Sequence, residues 1–376
     1  MRITASDVSR AVSGTLVGQD AVAQGCAFDS RILEPHQAFV AILGERDGHN
    51  YLGDACERGA PFAIVQRGRS IEQLTCIEVD DTVVALAAMG QMCRGQFSEA
   101  ASMRVVGITG SAGKTSTKNA IRAVLDAGFA HVYASTQSLN NDIGVPITVI
   151  NAPDNCDALI VEMGMRGFGE IERLCDIARP TIGVITNVGD AHSERVGGLD
   201  GVARAKGELI ESLPENGTAI LNVDDARVSA MSSRTWASVM TYGSALGADV
   251  RWTTLETLGD GRIRTRFDYD GESVEATPRL PGAHMAANAA AAIAVGITTG
   301  MSLEQCVSGV GREEIESGRV IWREGLGGAR ILDDTYNANS SSMIAALHVL
   351  AHSDARRRFA VLGQMFEVSE PQQTHR

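Results

Sequence analysis

Short apolar runs closed by turn residues recur along the whole chain, and their spacing sets out its organisation. Phe39-Val40-Ala41-Ile42-Leu43 before Gly44, and Pro61-Phe62-Ala63-Ile64-Val65, read as strands. Thr82 to Cys93 reads as a helix ending near Arg94-Gly95, and the small, polar stretch Ser98–Ser102 reads as a linker. A second region opens with the strand Arg104–Thr109. Buried-type strands follow at Ala158–Glu162 and Ile182–Thr186, with helices expected at Ser116–Leu125 and Gly169–Ala178. Strands alternating with helices imply an α/β fold, its central parallel sheet covered on both faces. An alanine-rich helix is expected at about 284–297. From Gly318 a third unit begins, with strands at Ala329–Leu332 and Phe359–Leu362 around a helix near 341–351. The expected domains are therefore 1–100, 101–316 and 317–376, the last reading as an unfinished α/β unit.

A length of 376 residues fits two or three domains, and 44% hydrophobic with 21% charged residues is ordinary for a folded soluble chain. The formal charge of −13 argues against a nucleic-acid coat protein, and Arg356-Arg357-Arg358 reads as a solvated face. Seven dispersed cysteines form no C-x-x-C pair and read as reduced thiols. The N-terminus lacks an apolar signal core and no run reaches 18 apolar residues, so the expectation is a cytoplasmic protein without membrane insertion.

Thr109-Gly110-Ser111-Ala112-Gly113-Lys114-Thr115-Ser116 lies between a predicted strand and a predicted helix. Glycines there let backbone N–H groups converge on phosphate oxygens at a helix N-terminus. Lys114 would reach the β- and γ-phosphates and the Thr115 hydroxyl would bind Mg²⁺. Ile108 stands where the strict P-loop pattern has glycine, so this is a variant form. ATP with Mg²⁺ is the expected ligand. The loop alone does not separate kinases, GTPases, motors and ligases.

Further segments follow in order. They are Thr136-Gln137-Ser138-Leu139-Asn140-Asn141-Asp142-Ile143-Gly144-Val145-Pro146, Glu162-Met163-Gly164-Met165, and Thr186-Asn187-Val188-Gly189-Asp190-Ala191-His192. Then come Ala205-Lys206-Gly207-Glu208, Leu221-Asn222-Val223-Asp224-Asp225, Pro281-Gly282-Ala283-His284 with Asn288, Gly318-Arg319, and Asp333-Asp334-Thr335-Tyr336-Asn337-Ala338-Asn339. This series resembles the Mur ligase family across essentially the whole chain. The resemblance implies a three-domain architecture: a UDP-substrate domain, a central P-loop ATPase domain and a Rossmann-like third domain, incomplete here. The Leu-Asn-Asn and Asp-Asp-x-Tyr-Asn-Ala-Asn segments, with Asp47-Gly48-His49, are similar to the branch that adds D-alanyl-D-alanine to a UDP-linked muramoyl tripeptide.

The implied reaction is amide formation through an acyl phosphate. By resemblance Glu162 and Thr115 hold Mg²⁺, and His192 helps position metal and phosphoryl group. Lys206 is the residue that similar ligases carbamylate, a reaction needing a buried, neutral amine. Asn288 is similar to the residue that hydrogen-bonds adenine, with His284 one turn earlier either sharing the site or supporting the helix. Arg319 and Asp334 resemble residues that close on the γ-phosphate and the ribose. Asp29-Ser30-Arg31 and Gly44–His49, with Asp47, resemble a uridine-diphosphate pocket. Asn140 and Asn141 serve either the sugar-peptide substrate or the loop's own turn. Departures from the family pattern are Ser193 for leucine, Ser340 for proline and Gln364 for aspartate. A monomer is expected. Two other readings fit the same residues: a sister ligase with another amino-acid acceptor, and a non-catalytic nucleotide-binding remnant.

Overall fold

The computed structural model describes residues 1–100, 103–135 and 139–365, apart from the side chains of 98–100 and Ser341. Thr136, Gln137 and Ser138, the Ala101–Ser102 end of the expected linker, and everything from Phe366 to Arg376 lie outside the described residues.

The first hundred residues build a five-stranded sheet. Its order is Thr15–Val17, Thr75–Val79, Phe62–Gln66, Ala38–Val40 and Cys26–Ala27, parallel except for the first pair. Its last strand does not end in solvent. Asn151, from the next part of the chain, accepts from the Cys26 N–H at 2.8 Å and donates to the Cys26 carbonyl at 3.0 Å. The helix Thr82–Ala100 follows, and it runs past Arg94-Gly95, where the sequence predicts its end. Burial explains the extension: Cys93 and Phe97 pack inward, and the buried Arg94 donates to the carbonyls of Ala178 at 2.7 Å and Arg179 at 3.2 Å. A single hydrophobic cluster consequently runs from Ile3, Ile64 and Ile77, through Leu86 and Met89, to Val105, Leu159 and Val161.

The central sheet has nine strands. In spatial order they are Glu272–Ala276, Ile263–Tyr269, Val250–Thr257, Ser238–Gly243, Thr218–Asn222, Ile182–Ile185, Arg104–Thr109, Ala158–Glu162 and Val132–Ala134. Seven are parallel, and the two at the first edge form an antiparallel extension. Ala158–Glu162 is buried at every position, as a strand covered on both faces should be. The helix Lys114–Leu125 packs on Ala283–Thr298, whose alanines 289–292 and 294 are fully buried and admit close approach of the two axes.

After Gly318, Ile321–Glu324 pairs antiparallel with Arg330–Asp333, and the helix Ser340–His352 follows, started by an Asn339 cap on the Ser342 N–H. The strand expected at Phe359–Leu362 is not present. The segment pairs with no other strand among the described residues, and Phe359, Val361 and Leu362 are exposed. Apolar content alone makes no strand when no neighbour takes up its backbone hydrogen bonds. All seven cysteines are free thiols.

Candidate active site

Register places the chemistry. The strand Arg104–Thr109 lies between Ala158–Glu162 and Ile182–Ile185, with Glu162 opposite Ile108 and Ile185 opposite Thr109. The carboxyl ends of all three strands therefore open on one edge, where sheets of this kind bind ligands. Glu162 ends one strand, the phosphate loop leaves the second, and Thr186-Asn187 continues the third.

Thr186 and Asn187 mould the loop. The Thr186 hydroxyl donates to the Ala112 carbonyl at 2.7 Å, and the Asn187 side chain accepts from the Ala112 N–H at 2.9 Å. The Ser111 hydroxyl accepts from the Gly189 N–H at 2.8 Å, and the Ser111 N–H donates to the Asn187 carbonyl. Gly113 has φ +79° and initiates the helix Lys114–Leu125. Gly110 is pressed so closely on Thr186 that an added Cβ would lie 1.8 Å from its hydroxyl oxygen. Gly110→Ala is thus expected to cost roughly 3 kcal/mol by overpacking and to displace the loop. Thermal unfolding should show the loss together with weakened nucleotide binding; a wild-type melting temperature would refute the tight contact.

At the end of the loop, the Thr115 hydroxyl donates to Glu162 Oε2 at 2.9 Å and accepts from the Arg319 guanidinium at 3.2 Å. Asn140 Nδ2 donates to Glu162 Oε1 at 2.9 Å. Glu162 is 1% exposed. Lys114 donates to the Gly110 carbonyl at 2.8 Å. Part of its side chain reaches the surface, yet the surrounding protein strips enough water from the ammonium to hold its pKa below the ordinary lysine value. Glu162 opposes that shift and Arg319 adds to it. Lys206 is buried, and its pKa is well below normal, from desolvation first and the nearby Lys114 second. Lys114 and Arg319 thus bear on a single carboxylate, leaving an excess of positive potential suited to a polyanion.

The depressed pKa of Lys206 has a thermodynamic consequence. The unfolded chain binds the proton more tightly, so the residue's cost is absent above the unfolded value near about 10.4 and grows as pH falls below it. Lys206→Met is expected to raise the melting temperature at pH 7, with the gain shrinking toward pH 10. A gain independent of pH would contradict a neutral buried amine.

Asn288 accepts from the Thr117 hydroxyl at 3.1 Å, and its Nδ2 rests 3.6 Å from the Met285 sulfur, a weak acceptor that a ring nitrogen could replace. It lines a cleft of about 400 Å³ with Ser116, Asn119, Arg279, Met285 and Glu313. Half-buried His284 is dehydrated, with its pKa down to about 4, and its ring lies against Gly282. Arg319 stacks on Tyr336 at 3.8 Å, and its Nε is buried without a hydrogen bond among the described residues. Asp334 accepts from the Val320 N–H at 3.2 Å, and burial raises its pKa. His192 adopts φ +64° and starts the short helix Ser193–Val196.

Other expected site residues lie elsewhere. Asn141 holds its own turn, accepting from the Ile143 and Gly144 N–H groups. In the first sheet unit, Ser30 is buried and Arg31 forms an exposed pair with Asp29. Asp47 accepts from Arg69 at 2.8 Å and from both the backbone and Nδ1 of His49, whose Nε2 accepts from the Gln66 N–H. None of these hydrogen-bonds to the Glu162 cluster among the described residues.

The sequence reading passed over Lys118. It is 2% exposed, donates to the Ser135 carbonyl at 2.9 Å, and pairs with Glu316 at 3.1 Å. Asn119 adds bonds to Glu314 and Glu316, and Arg122 pairs with Glu314. The segment leading to Arg319 is thereby clamped to the phosphate-loop helix. Spacing carried a signal: Lys118 is one helical turn from Lys114.

The loop fits a magnesium-bound triphosphate. It offers two glycines at close approach, a hydroxyl–carboxylate pair and an arginine nitrogen lacking a partner. No three His, Cys, Asp or Glu side chains gather to hold a metal among the described residues. Mg²⁺ takes few protein ligands and keeps waters and phosphate oxygens, so one carboxylate with one hydroxyl suffices.

Comparison with known proteins identifies the family. The Mur ligase middle-domain profile matches residues 108–296. A relative from Synechocystis, UDP-N-acetylmuramoyl-tripeptide–D-alanyl-D-alanine ligase, is 37% identical over 366 residues, covering 96% of this chain and 76% of its own length. MurF from Acinetobacter baumannii superposes with a TM-score of 0.89 at 30% identity, covering 100% of this chain and 82% of that one. MurF ligase from Thermotoga maritima, in complex with ADP, gives 0.78 at 26% identity, covering 94% and 80%. The chain belongs to the Mur ligase family, in the branch of the UDP-N-acetylmuramoyl-tripeptide–D-alanyl-D-alanine ligases.

Proposed function

We propose that this chain joins D-alanyl-D-alanine to UDP-N-acetylmuramoyl-tripeptide, using ATP and giving the UDP-linked pentapeptide, ADP and phosphate. The observation that carries the reading is the junction of Thr115, Glu162 and Arg319 beside Lys114 at the loop. A carboxylate oxygen of the tripeptide attacks the γ-phosphorus as the bond to ADP breaks. The dipeptide amine then adds to the acyl carbon, and inorganic phosphate leaves. Both steps crowd anions together, and fixed cations stabilise that crowding more than they stabilise the separated reactants. Lys114 bears on the β- and γ-phosphates, and Arg319 on the γ-phosphate from the far side. Thr115 and Glu162, with help from His192, would hold Mg²⁺, which when bound would supply Lewis-acid neutralisation of the phosphate oxygens.

Around that centre, Asn288 takes the base and Asp334 the ribose. Lys206, whose burial disfavours its charged form, is the amine able to take up CO₂ and become a carbamate. Ser30, Arg31 and Asp47 bind the uridine diphosphate in the unit spanning residues 1–100, Asn140 orients Glu162 toward the acceptor, and Asn141 holds the turn beside it. Residues 101–316 form the ATP-binding unit, and residues from 317 onward belong to the ligase unit. No helix among the described residues is long and apolar enough to cross a membrane. Work in the cytoplasm as a monomer, on nucleotide-linked substrates and without nucleic acid, completes the reading.

The test is phosphate release from the native protein with UDP-muramoyl tripeptide, D-alanyl-D-alanine, ATP and Mg²⁺, each omitted in turn. Dependence on all four is expected. Equal rates with other amines would favour a sister ligase, and ATP binding without substrate-dependent ADP release would favour a non-catalytic protein.

A further inference from the structure

One polar side chain lining the cleft is used by none of this chemistry. Glu313 is 8% exposed and lines the cleft together with Asn288, Met285 and Asn119. Its Oε1 accepts from the Gly311 N–H at 3.1 Å, and its backbone carbonyl accepts from Arg279 at 3.0 Å, so the residue is held from two sides. Its Oε2 is buried and has no hydrogen-bond partner among the described residues. Burying a carboxylate oxygen unmatched is costly, and folded proteins rarely leave one without a purpose. The neighbouring walls, Pro278, Leu280 and Met285, are apolar and suit the faces of a flat ring.

We propose that Glu313 selects the base of the nucleotide, accepting a hydrogen bond at Oε2 from the exocyclic amine of a 6-aminopurine. The inference rests on the ATP reading above and adds to it the group that discriminates among purines. An ionised carboxylate offers acceptors only. A 6-amino group donates to it, whereas the 6-oxygen of hypoxanthine or guanine brings a second acceptor against the first. Asn288 can donate to a ring nitrogen of either base class, and its Oδ1 already accepts from the Thr117 hydroxyl, so the main discrimination falls to Glu313.

The probes are ATP, inosine triphosphate and purine riboside triphosphate, which differ at position 6, inosine also carrying a proton on N1. They are compared as kcat/KM in substrate-dependent phosphate release by the full chain. The wild-type protein is expected to prefer ATP over inosine triphosphate by ten- to a hundredfold, the range for a hydrogen bond to a charged group set against an acceptor clash. Glu313→Gln can turn its amide to donate, so the preference should fall at least tenfold, chiefly through faster use of inosine triphosphate. Purine riboside triphosphate has no group at position 6 and should respond little to the change.

A wild-type protein that uses inosine triphosphate as well as ATP overturns the proposal. So does a Glu313→Gln variant that turns over ATP with the wild-type preference. Should that variant fail to fold, Glu313→Asp draws the carboxylate back by one methylene and must narrow the preference without inverting it; an unchanged ratio there again overturns it. Absence of any ATP turnover by the wild-type protein would instead sink the nucleotide reading itself, so the two failures are separable.

Discussion

Glu162→Gln is expected to lower kcat by about three orders of magnitude, the scale for loss of a charge-stabilising group at the reacting centre. The hydrogen-bond pattern explains why so conservative a change should matter. Thr115 accepts from Arg319, so its own proton is committed to Glu162 Oε2, and Asn140 donates to Oε1. Both carboxylate oxygens face donors. A glutamine must turn its NH₂ toward one of them, leaving donor against donor in a buried place at a cost of roughly 1–3 kcal/mol. The variant also loses the negative charge proposed to hold Mg²⁺. Steady-state kinetics over a range of Mg²⁺ should show a collapse of kcat that excess metal does not restore, while melting falls by only a few degrees. Near-normal turnover in a folded Glu162→Gln protein would remove this residue from the chemistry.

Lys114→Met should separate stability from activity. Methionine has nearly the same length and no charge, so it removes the desolvation cost of the ammonium and its repulsion with Arg319 and Lys206. The unliganded protein is therefore expected to melt at the same temperature or higher. Turnover should drop by about a hundred- to a thousandfold, and the rise in melting temperature on adding ATP should largely vanish. Scanning calorimetry with and without nucleotide measures both quantities in one sample. A variant destabilised without nucleotide, yet still stabilised by ATP, would mean that Lys114 holds the fold rather than the phosphates.

Much of the centre was legible in the sequence because its residues follow strands. A buried run such as Ala158–Glu162 predicts its own edge, and the charged residue closing it must sit where the sheet opens. The phosphate loop was readable for the same reason. The helix beginning at Thr82 was misjudged at its far end, since Arg94-Gly95 looks like punctuation while its arginine in fact caps the carbonyls of another helix. Phe39–Leu43 shortened to a strand at Ala38–Val40, and the edge hairpin over 250–276 gave no expectation at all, its residues alternating too weakly to announce it. Lys118 and Glu316 were missed because they stand 198 positions apart and meet only once the chain has folded, and Glu313 because the fold alone brings it to the cleft beside Asn119 and Asn288. Asn141 and Asn140 are adjacent in sequence and yet do unlike work, one closing a turn and the other bonding to Glu162, a division that only backbone direction decides.

The Asn151 amide at Cys26 bears on how motion can be distributed through the molecule. Its paired bonds imitate a neighbouring strand and shield an edge that would otherwise invite another chain. Together with the hydrophobic cluster common to both sheets, they moor the first unit to the second like two halves of one hull. Compliance is left to the part beyond Gly318, which reaches the phosphate loop through Arg319, while ion pairs of Glu314 and Glu316 hold the segment leading to it. Charge-based contacts loosen in salt while buried apolar ones do not, so ionic strength offers a dial for the one without disturbing the other.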